Sequence, residues 1–172
     1  MNSTPTPNPK ADQTLSRNMT LLAHHEMNGF GGLGEGINLQ ITKTGRRILW
    51  VAHESAPKNF SGLDVTDPKN PRLIVQTDLP HMQLRSNSLD VYGDILAVAY
   101  QTKVVGLKPA GVDLFDISNP EEPKLLSHFD CSGPHSRGVH ALWFVDGKYI
   151  HMSSGAADFE PTNPLDDQFY RI

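Results

Sequence analysis

The chain lacks several features that would narrow its function. It has a single cysteine, Cys131, which excludes an internal disulfide framework. No apolar run approaches the roughly 20 residues that a membrane-spanning helix needs. The net charge of −4 offers no basic surface to nucleic acid or to an anionic membrane. Because the N-terminus also lacks a secretory signal pattern, we expect a cytoplasmic protein with no membrane or nucleic-acid partner.

The N-terminal residues have too little apolar character to build a core. Residues 1–18 are polar and rich in Pro, Ser, Thr and Asn. A segment of this composition cannot bury enough apolar surface to offset the entropy of ordering its backbone. The sequence therefore predicts a disordered leader over residues 1–18 and one folded domain over residues 19–172.

The sequence also lacks the 3.6-residue apolar period that is typical of helices. It contains a sequence repeat instead. Residues 62–74 and 111–126 share the motif D-[VI]-[TS]-[DN]-P-x-x-P-[RK]-L. Aligned on Asp64 and Asp116, every matched pair is 52 positions apart. A fixed offset of this size is the signature of a repeat architecture.

The sequence pattern of each repeat predicts four strands. Residues 38–52, 87–99 and 140–152 each contain a strand, a turn with glycine and a second, more apolar strand. The shared motif supplies a third strand and a turn in which Pro ends the strand, and a Leu-Leu or Leu-Ile pair opens the fourth. Four antiparallel strands recurring about every 50 residues predict an all-β fold, a β-propeller of four-stranded blades. The blade repeats lie near residues 19–26, 37–78, 87–130 and 139–172.

The predicted propeller is incomplete. Residues 19–26 have the pattern of an isolated fourth strand, two full blades follow, and residues 139–172 contain the first two strands of a third. A closed propeller needs at least about four blades, and the chain holds about two and a half to three. We therefore expect either a part of a longer propeller chain, or open strand edges that pair with the remaining blades or with another copy.

The shared motif resembles the repeat of the LVIVD-repeat family of bacterial and archaeal β-propellers, which has the form L-V-I-V-D-V-S-D-P-x-x-P-x-L. Residues 62–73 and 111–125 carry the match, and it extends through the flanking strands. The resemblance implies a propeller fold. It implies little about activity, because the family is mostly of unassigned function.

The loops at the mouth of a propeller channel are where function is expected, because a rigid scaffold holds them. One of them, residues 29–34, matches G-x-G-x-x-G. Strand alternation follows it, whereas a dinucleotide site requires a helix, so we interpret this stretch as a flexible crossing between blades. The connections between blades are residues 27–37, 79–86 and 131–139, and the loops between second and third strands are residues 53–61, 101–110 and 153–168.

Three charged residues precede the innermost strand of a blade and are predicted to point into the channel: Glu35, Arg85 and Arg137. Arg85 and Arg137 occur in similar contexts in successive blades. Two guanidinium groups placed side by side are suited to hold the carboxylate or phosphate of a small-molecule anion. The alternative is a solvated or salt-bridged channel rim, with Glu35 as the partner of an arginine.

Four of the eight histidines fall at strand ends or in connections that converge on the channel mouth. His81 and His135 follow equivalent strands in successive blades, so we expect them to lie side by side. Neutral imidazoles gathered in this way form a transition-metal site, although the spacing matches no short chelating motif. Ordinary loop histidines are the alternative. The candidate ligands are His53, His81, His135 and His140.

Two functions remain open at this point. One is a ligand-binding or interaction scaffold that presents a polar channel mouth to a small-molecule anion or a protein partner. The other is a metal-dependent enzyme, an oxidoreductase or a hydrolase, that uses two or more of the histidines with an arginine to hold an anionic substrate. No nucleophile with an adjacent base and no G-x-S-x-G motif is present, so the residues assign no reaction.

Overall fold

The computed structural model describes residues 18–163 and 166–172. Within these ranges the chain is built from antiparallel β-strands and contains no α-helix; its single helical turn is a 3₁₀ turn at Met27–Gly29. The predicted all-β class is confirmed. No helix in the described ranges is long and apolar enough to cross a membrane. Except for Asn18, the predicted leader lies outside the described residues.

The first sheet has four strands in chain order and matches the first full repeat. They are β1 (Leu33–Ile41), β2 (Arg47–His53), β3 (Lys58–Asp64) and β4 (Arg72–Asp78), each paired with the next. Gly45 closes the first hairpin at φ 81°, which is the positive φ that the sequence predicts for it.

The second sheet repeats this plan. Its strands are β6 (Leu89–Tyr92), β7 (Ile95–Thr102), β8 (Gly111–Asp116) and β9 (Lys124–Asp130), and the two-residue strand β5 (Leu84–Arg85) adds to the far end of β7. β8 and β9 are joined by the Pro-rich turn, as the motif predicts.

The third sheet has three strands within the described ranges. They are β12 (Val139–Trp143), β13 (His151–Ser154) and β14 (Phe169–Arg171). A short hairpin of β10 (Ser132–Gly133) and β11 (Ser136–Arg137) links it to the second sheet. The two strands predicted for this repeat are present, and β14 follows them as a third.

The prediction of a strand at residues 19–26 is wrong. This segment has no strand structure, and the side chain of Leu21 is 77% exposed. A strand needs a neighbour that accepts and donates its backbone hydrogen bonds, and no described strand pairs with this segment.

The sheets pack face to face in a row. Between the first and second sheets, the ring of Phe60 contacts Trp50 at 5.8 Å and Phe115 at 5.0 Å, both edge to face. A second apolar cluster, which includes Val112 and Met152, joins the second sheet to the third. The burial of these faces fixes how the loops of neighbouring sheets meet.

Hydrogen bonds also join the first strands of successive sheets. The N–H groups of Glu35 and Gly36 donate to the carbonyl of Asn87 at 2.9 and 3.0 Å. The N–H of Phe144 donates to Asp90 Oδ2 at 2.8 Å. Strands β1, β6 and β12 therefore lie next to one another, and the ends of their preceding connections meet at one side of the molecule.

Candidate functional site

A polar cavity of about 240 Å³ opens where the second and third sheets meet. Three of the residues that line it, Arg85, Arg137 and His140, are ones that the sequence singles out. The others come from the end of β7 and from the connection that leads into β14. The full lining is Arg85, Gln101, Arg137, His140, Asp166, Asp167 and Gln168.

The two arginines converge because both flank the same residue of β7. Arg85 is opposite Gln101 in the pairing of β5 with β7. On its other side, Gln101 forms an isolated antiparallel bridge with Gly138, which directly follows Arg137. Equivalent positions of two successive repeats are thereby brought to one cavity.

Arg85 is oriented by two partners. Its Nε and Nη2 groups donate to Gln101 Oε1 at 3.0 and 2.5 Å, and its Nη1 group forms an ion pair with Glu54. Gln101 is only 1% exposed, so the acceptor is held firmly. A guanidinium has five N–H donors, and three are used here, which leaves two for a ligand.

Arg137 is held by a buried carboxylate. Its Nε and Nη2 groups donate to Asp167 at 2.5 and 3.0 Å in a bidentate pair. The hydrogen bond to Asp167 raises the pKa of Arg137 above its ordinary value. The guanidinium therefore stays charged, and three of its five N–H donors are left for other partners.

His140 shares the acceptor that orients Arg85. Its Nδ1 atom lies 3.2 Å from Gln101 Oε1. An amide oxygen only accepts hydrogen bonds, so Nδ1 carries the proton and donates. In the neutral ring, Nε2 is then an acceptor, and in the protonated ring it is a further donor.

The carboxylates around the cavity outnumber its arginines, three to two. The two arginines of the lining face two carboxylates, Asp166 and Asp167, and Glu54 adds a third negative group beside Arg85. A site of this kind has no strong positive field for a polyanion. It suits a small ligand with one acidic group and other polar atoms.

Sequence reasoning missed Glu54, Gln101 and Asp167. A signal for the first two exists: Val51 and Val98 occupy matching register positions in β2 and β7, 47 positions apart. The same offset places Glu54 and Gln101 at one position of the repeat: Glu54 directly follows β2, and Gln101 is the second-last residue of β7.

Glu35 does not line this cavity and is not the ion-pair partner of Arg85 or Arg137. β1 begins at Leu33, earlier than predicted, and Glu35 is therefore an exposed residue within the strand. Its backbone N–H is engaged with Asn87 of the second sheet. The carboxylates that pair with the arginines are Glu54 and Asp167.

His53 and His81 are each engaged in a local hydrogen bond. His53 is buried at the end of β2 and lies 2.8 Å from Ser61 Oγ. Burial, with a smaller contribution from the charge of Lys58, lowers its pKa and favours the neutral ring. His81 Nε2 donates to the carbonyl of Lys108 at 2.8 Å.

His135 is exposed and lies 3.7 Å from Glu160. His140 is the one predicted histidine ligand that reaches the cavity. Within residues 18–163 and 166–172, no three His, Cys, Asp or Glu side chains are placed to hold a metal ion. The predicted four-histidine group is therefore not assembled in the described chain.

Cys131 does not have the surroundings of a nucleophile. It is buried in the cluster between the second and third sheets. Burial raises the pKa of its thiol by more than the charge of Arg171, whose Nη1 lies 4.0 Å from Sγ, lowers it. A reactive cysteine needs the opposite shift. We interpret Cys131 as a core residue.

The chain matches none of the models of known protein families and none of the curated proteins. The function therefore has to be inferred from the residues of the cavity.

Proposed function

We propose that the chain forms part of a β-propeller and serves as a binding scaffold for a small molecule with an acidic group. The ligand site is the cavity between Arg85 and Arg137. Three observations support the propeller: the repeated four-stranded plan, the packing of each sheet face against the next, and the adjacency of the first strands of successive sheets.

One observation carries the binding proposal. Two guanidinium groups from equivalent repeat positions line one open cavity, and each is fixed by a buried partner, Gln101 for Arg85 and Asp167 for Arg137. A group that is already oriented loses little entropy when it binds. The donors that remain on both arginines are therefore ready to receive an oxyanion.

Size and charge limit the ligand class. The cavity volume of about 240 Å³ is below the 300–1,000 Å³ that is typical of sites for drug-sized molecules. With Asp166 and Asp167 in the same lining, a second negative charge on the ligand would be repelled. A compact molecule with one carboxylate or phosphate group fits both limits.

The metal-dependent alternative has less support. It needs at least two of the predicted histidines at one place, and in the described chain only His140 lies in the cavity. We therefore favour binding over metal-assisted chemistry.

Calorimetric titration with acetate, and with inorganic phosphate at pH 6 where it is mostly a monoanion, tests the proposal. Arg85→Ala and Arg137→Ala should each weaken binding by about 10- to 100-fold, because a hydrogen bond to a charged group contributes about 1.5–3 kcal/mol. Arg47→Ala is the matched control, since Arg47 is exposed at the start of β2 and its substitution removes the same charge. Equal affinity of the two cavity variants and the control would contradict the proposal, as would the absence of binding of both probes to the unmodified chain.

A further inference from the structure

The cavity that holds the two arginines also has an acidic side. Asp166, Asp167 and Gln168 are consecutive residues of the connection that leads into β14, and all three line the cavity. Asp167 is engaged by the bidentate pair with Arg137. Asp166 is exposed, and its carboxylate has no hydrogen-bond or ion-pair partner among the described residues. One carboxylate of the lining is therefore available to a ligand.

The backbone around Asp166 is held on both sides. Its own N–H donates to the carbonyl of Asn163 at 2.9 Å. The side chain of Asp167 is 6% exposed and is engaged in the arginine pair. The side-chain oxygen of Gln168 accepts a hydrogen bond from Ser153 Oγ at 2.6 Å. These neighbouring contacts keep the Asp166 carboxylate at the cavity before any ligand arrives.

The charges of the cavity leave a place for one cation. Glu54 compensates Arg85, and Asp167 compensates Arg137, so the charge of Asp166 remains. A ligand that brings only an anion places it in the same cavity as this carboxylate, which repels it. A ligand that also carries an ammonium group replaces this repulsion by an attraction.

His140 supplies a second acceptor for an ammonium group. It lines the cavity, and its Nδ1 atom donates to Gln101 Oε1 at 3.2 Å. In the neutral ring, Nε2 is therefore the acceptor. An ammonium group has three N–H donors, which suit a carboxylate on one side and an imidazole nitrogen on another.

The lining also limits the size of the ligand. All seven residues of the lining are polar or charged, so an apolar side chain of a ligand would gain little by entering. The volume of about 240 Å³ is below that of typical sites for drug-sized molecules. A small ligand with a carboxylate at one end and an ammonium group at the other fits both limits.

We propose that the cavity binds a small zwitterion, an amino acid of the size of glycine. The carboxylate lies between Arg85 and Arg137, and the ammonium group lies toward Asp166 and His140. This inference rests on the proposed function, because it takes the arginine pair as the site of the acidic group. It goes beyond that function by assigning the opposite, cationic end of the ligand.

Calorimetric titration at pH 7 with glycine, acetate and methylammonium tests this two-ended site. Acetate has the carboxylate of glycine without the ammonium group, and methylammonium has the ammonium group without the carboxylate. Glycine should bind about three- to tenfold more tightly than acetate, because it adds a charge-assisted contact at an open cavity. Methylammonium should bind more weakly than glycine, since it lacks the contact with the arginines.

The substitution Asp166→Asn isolates the cationic end. It should remove the advantage of glycine over acetate and leave acetate bound at least as tightly, because a repelling charge is lost. Asp158→Asn is the matched control, since Asp158 is exposed in the same connection but does not line the cavity. This control should preserve the advantage of glycine.

The outcomes separate this inference from the proposed function. Equal affinities of glycine and acetate for the unmodified chain would overturn the zwitterion and leave the arginine site intact. An advantage of glycine that survives Asp166→Asn, or that Asp158→Asn removes equally, would also overturn it. Binding of neither glycine nor acetate would contradict the proposed function as well.

Discussion

Gln101 is the residue on which the cavity depends most. Its amide oxygen accepts hydrogen bonds from both Arg85 and His140, and it is almost completely buried. It lies at the end of β7 with a bridge to Gly138 on one side and Arg85 on the other. One side chain thus orients two groups that come from different connections.

Gln101→Leu should weaken phosphate binding by about as much as Arg85→Ala, because both lose the alignment of the Arg85 guanidinium. It should also lower the free energy of unfolding by about 1–3 kcal/mol, since buried donors lose their acceptor. Urea unfolding and phosphate titration check the two effects. Gln83→Leu, at an exposed position just before β5, is the control. Unchanged binding in Gln101→Leu would show that the amide does not position the site.

Asp64 lies in the repeated motif and, unlike the residues of the cavity, has a structural role. Its carboxylate accepts the backbone N–H of Thr66 at 3.0 Å and pairs with Arg46 at 3.0 Å. The hydrogen bonds from Thr66, and then the interactions with Arg46, lower its pKa to about 2. The equivalent Asp116 bonds the N–H of Ser118 in the same way, which explains why the motif requires an acid at this position.

The lowered pKa of Asp64 predicts a pH-dependent stability. The folded pKa lies below the ordinary value of 3.8, so the ionised carboxylate stabilises the fold above about pH 4 and this contribution is lost as the pH falls toward 2. Asp64→Asn should therefore lower the free energy of unfolding by about 2 kcal/mol at neutral pH. In urea unfolding, the free energy of unfolding of Asp64→Asn should differ from that of the unmodified protein by a large amount at pH 7 and by a small amount near pH 2. An equal difference at both pH values would contradict the stabilising role of the ionised Asp64 carboxylate.

At the scale of the strands, the sequence predicts most of the fold because the repeat constrains it. Turn glycines such as Gly45 and Gly93 adopt the expected positive φ, and the four-strand order of each complete sheet follows the motif. The start of β1 could not be predicted, because a backbone contact from Glu35 and Gly36 to the second sheet extends the strand. That contact depends on packing between sheets, which local patterns do not contain.

The sequence predicts only part of the candidate site. Arg85 and Arg137 can be found because they occupy one position of the repeat. Asp167 cannot, because it lies in the connection between β13 and β14, which is longer than the equivalent connections of the other two sheets, so the repeat alignment gives it no matching position. Sequence patterns also could not show that His53 is buried and lies 2.8 Å from Ser61 Oγ, and not at the cavity with His140.

Gly111 starts β8 and the motif, and its substitution should be costly. It has φ 152°, and an added Cβ would lie 1.9 Å from the carbonyl oxygen of Phe129 on β9. Gly111→Ala must therefore separate β8 from β9, with a loss of more than about 2 kcal/mol of stability. Gly31→Ala is the control, because nothing lies within 4 Å of its added Cβ. Equal melting temperatures of the two variants would contradict this account of the strand pair.

At the scale of the molecule, the three larger sheets of the described residues stand in a row with exposed apolar side chains at both ends. The inner faces are buried against each other, and the cavity lies where two successive connections meet. The first face of the row, around Ile37, and the last, around Trp143, are where the repeat predicts further contacts. The arrangement explains why equivalent arginines of two repeats share one site.

The central claim is that Arg85 and Arg137 together receive one acidic group. The most direct measurement follows the side-chain Nε–H resonances of the arginines by NMR while inorganic phosphate is added. The account predicts that the signals of Arg85 and Arg137 shift together with one affinity, that Arg47 does not shift, and that Arg85→Ala abolishes the response of Arg137. Small shifts of similar size at all arginines, or a response of Arg137 that survives Arg85→Ala, would contradict it.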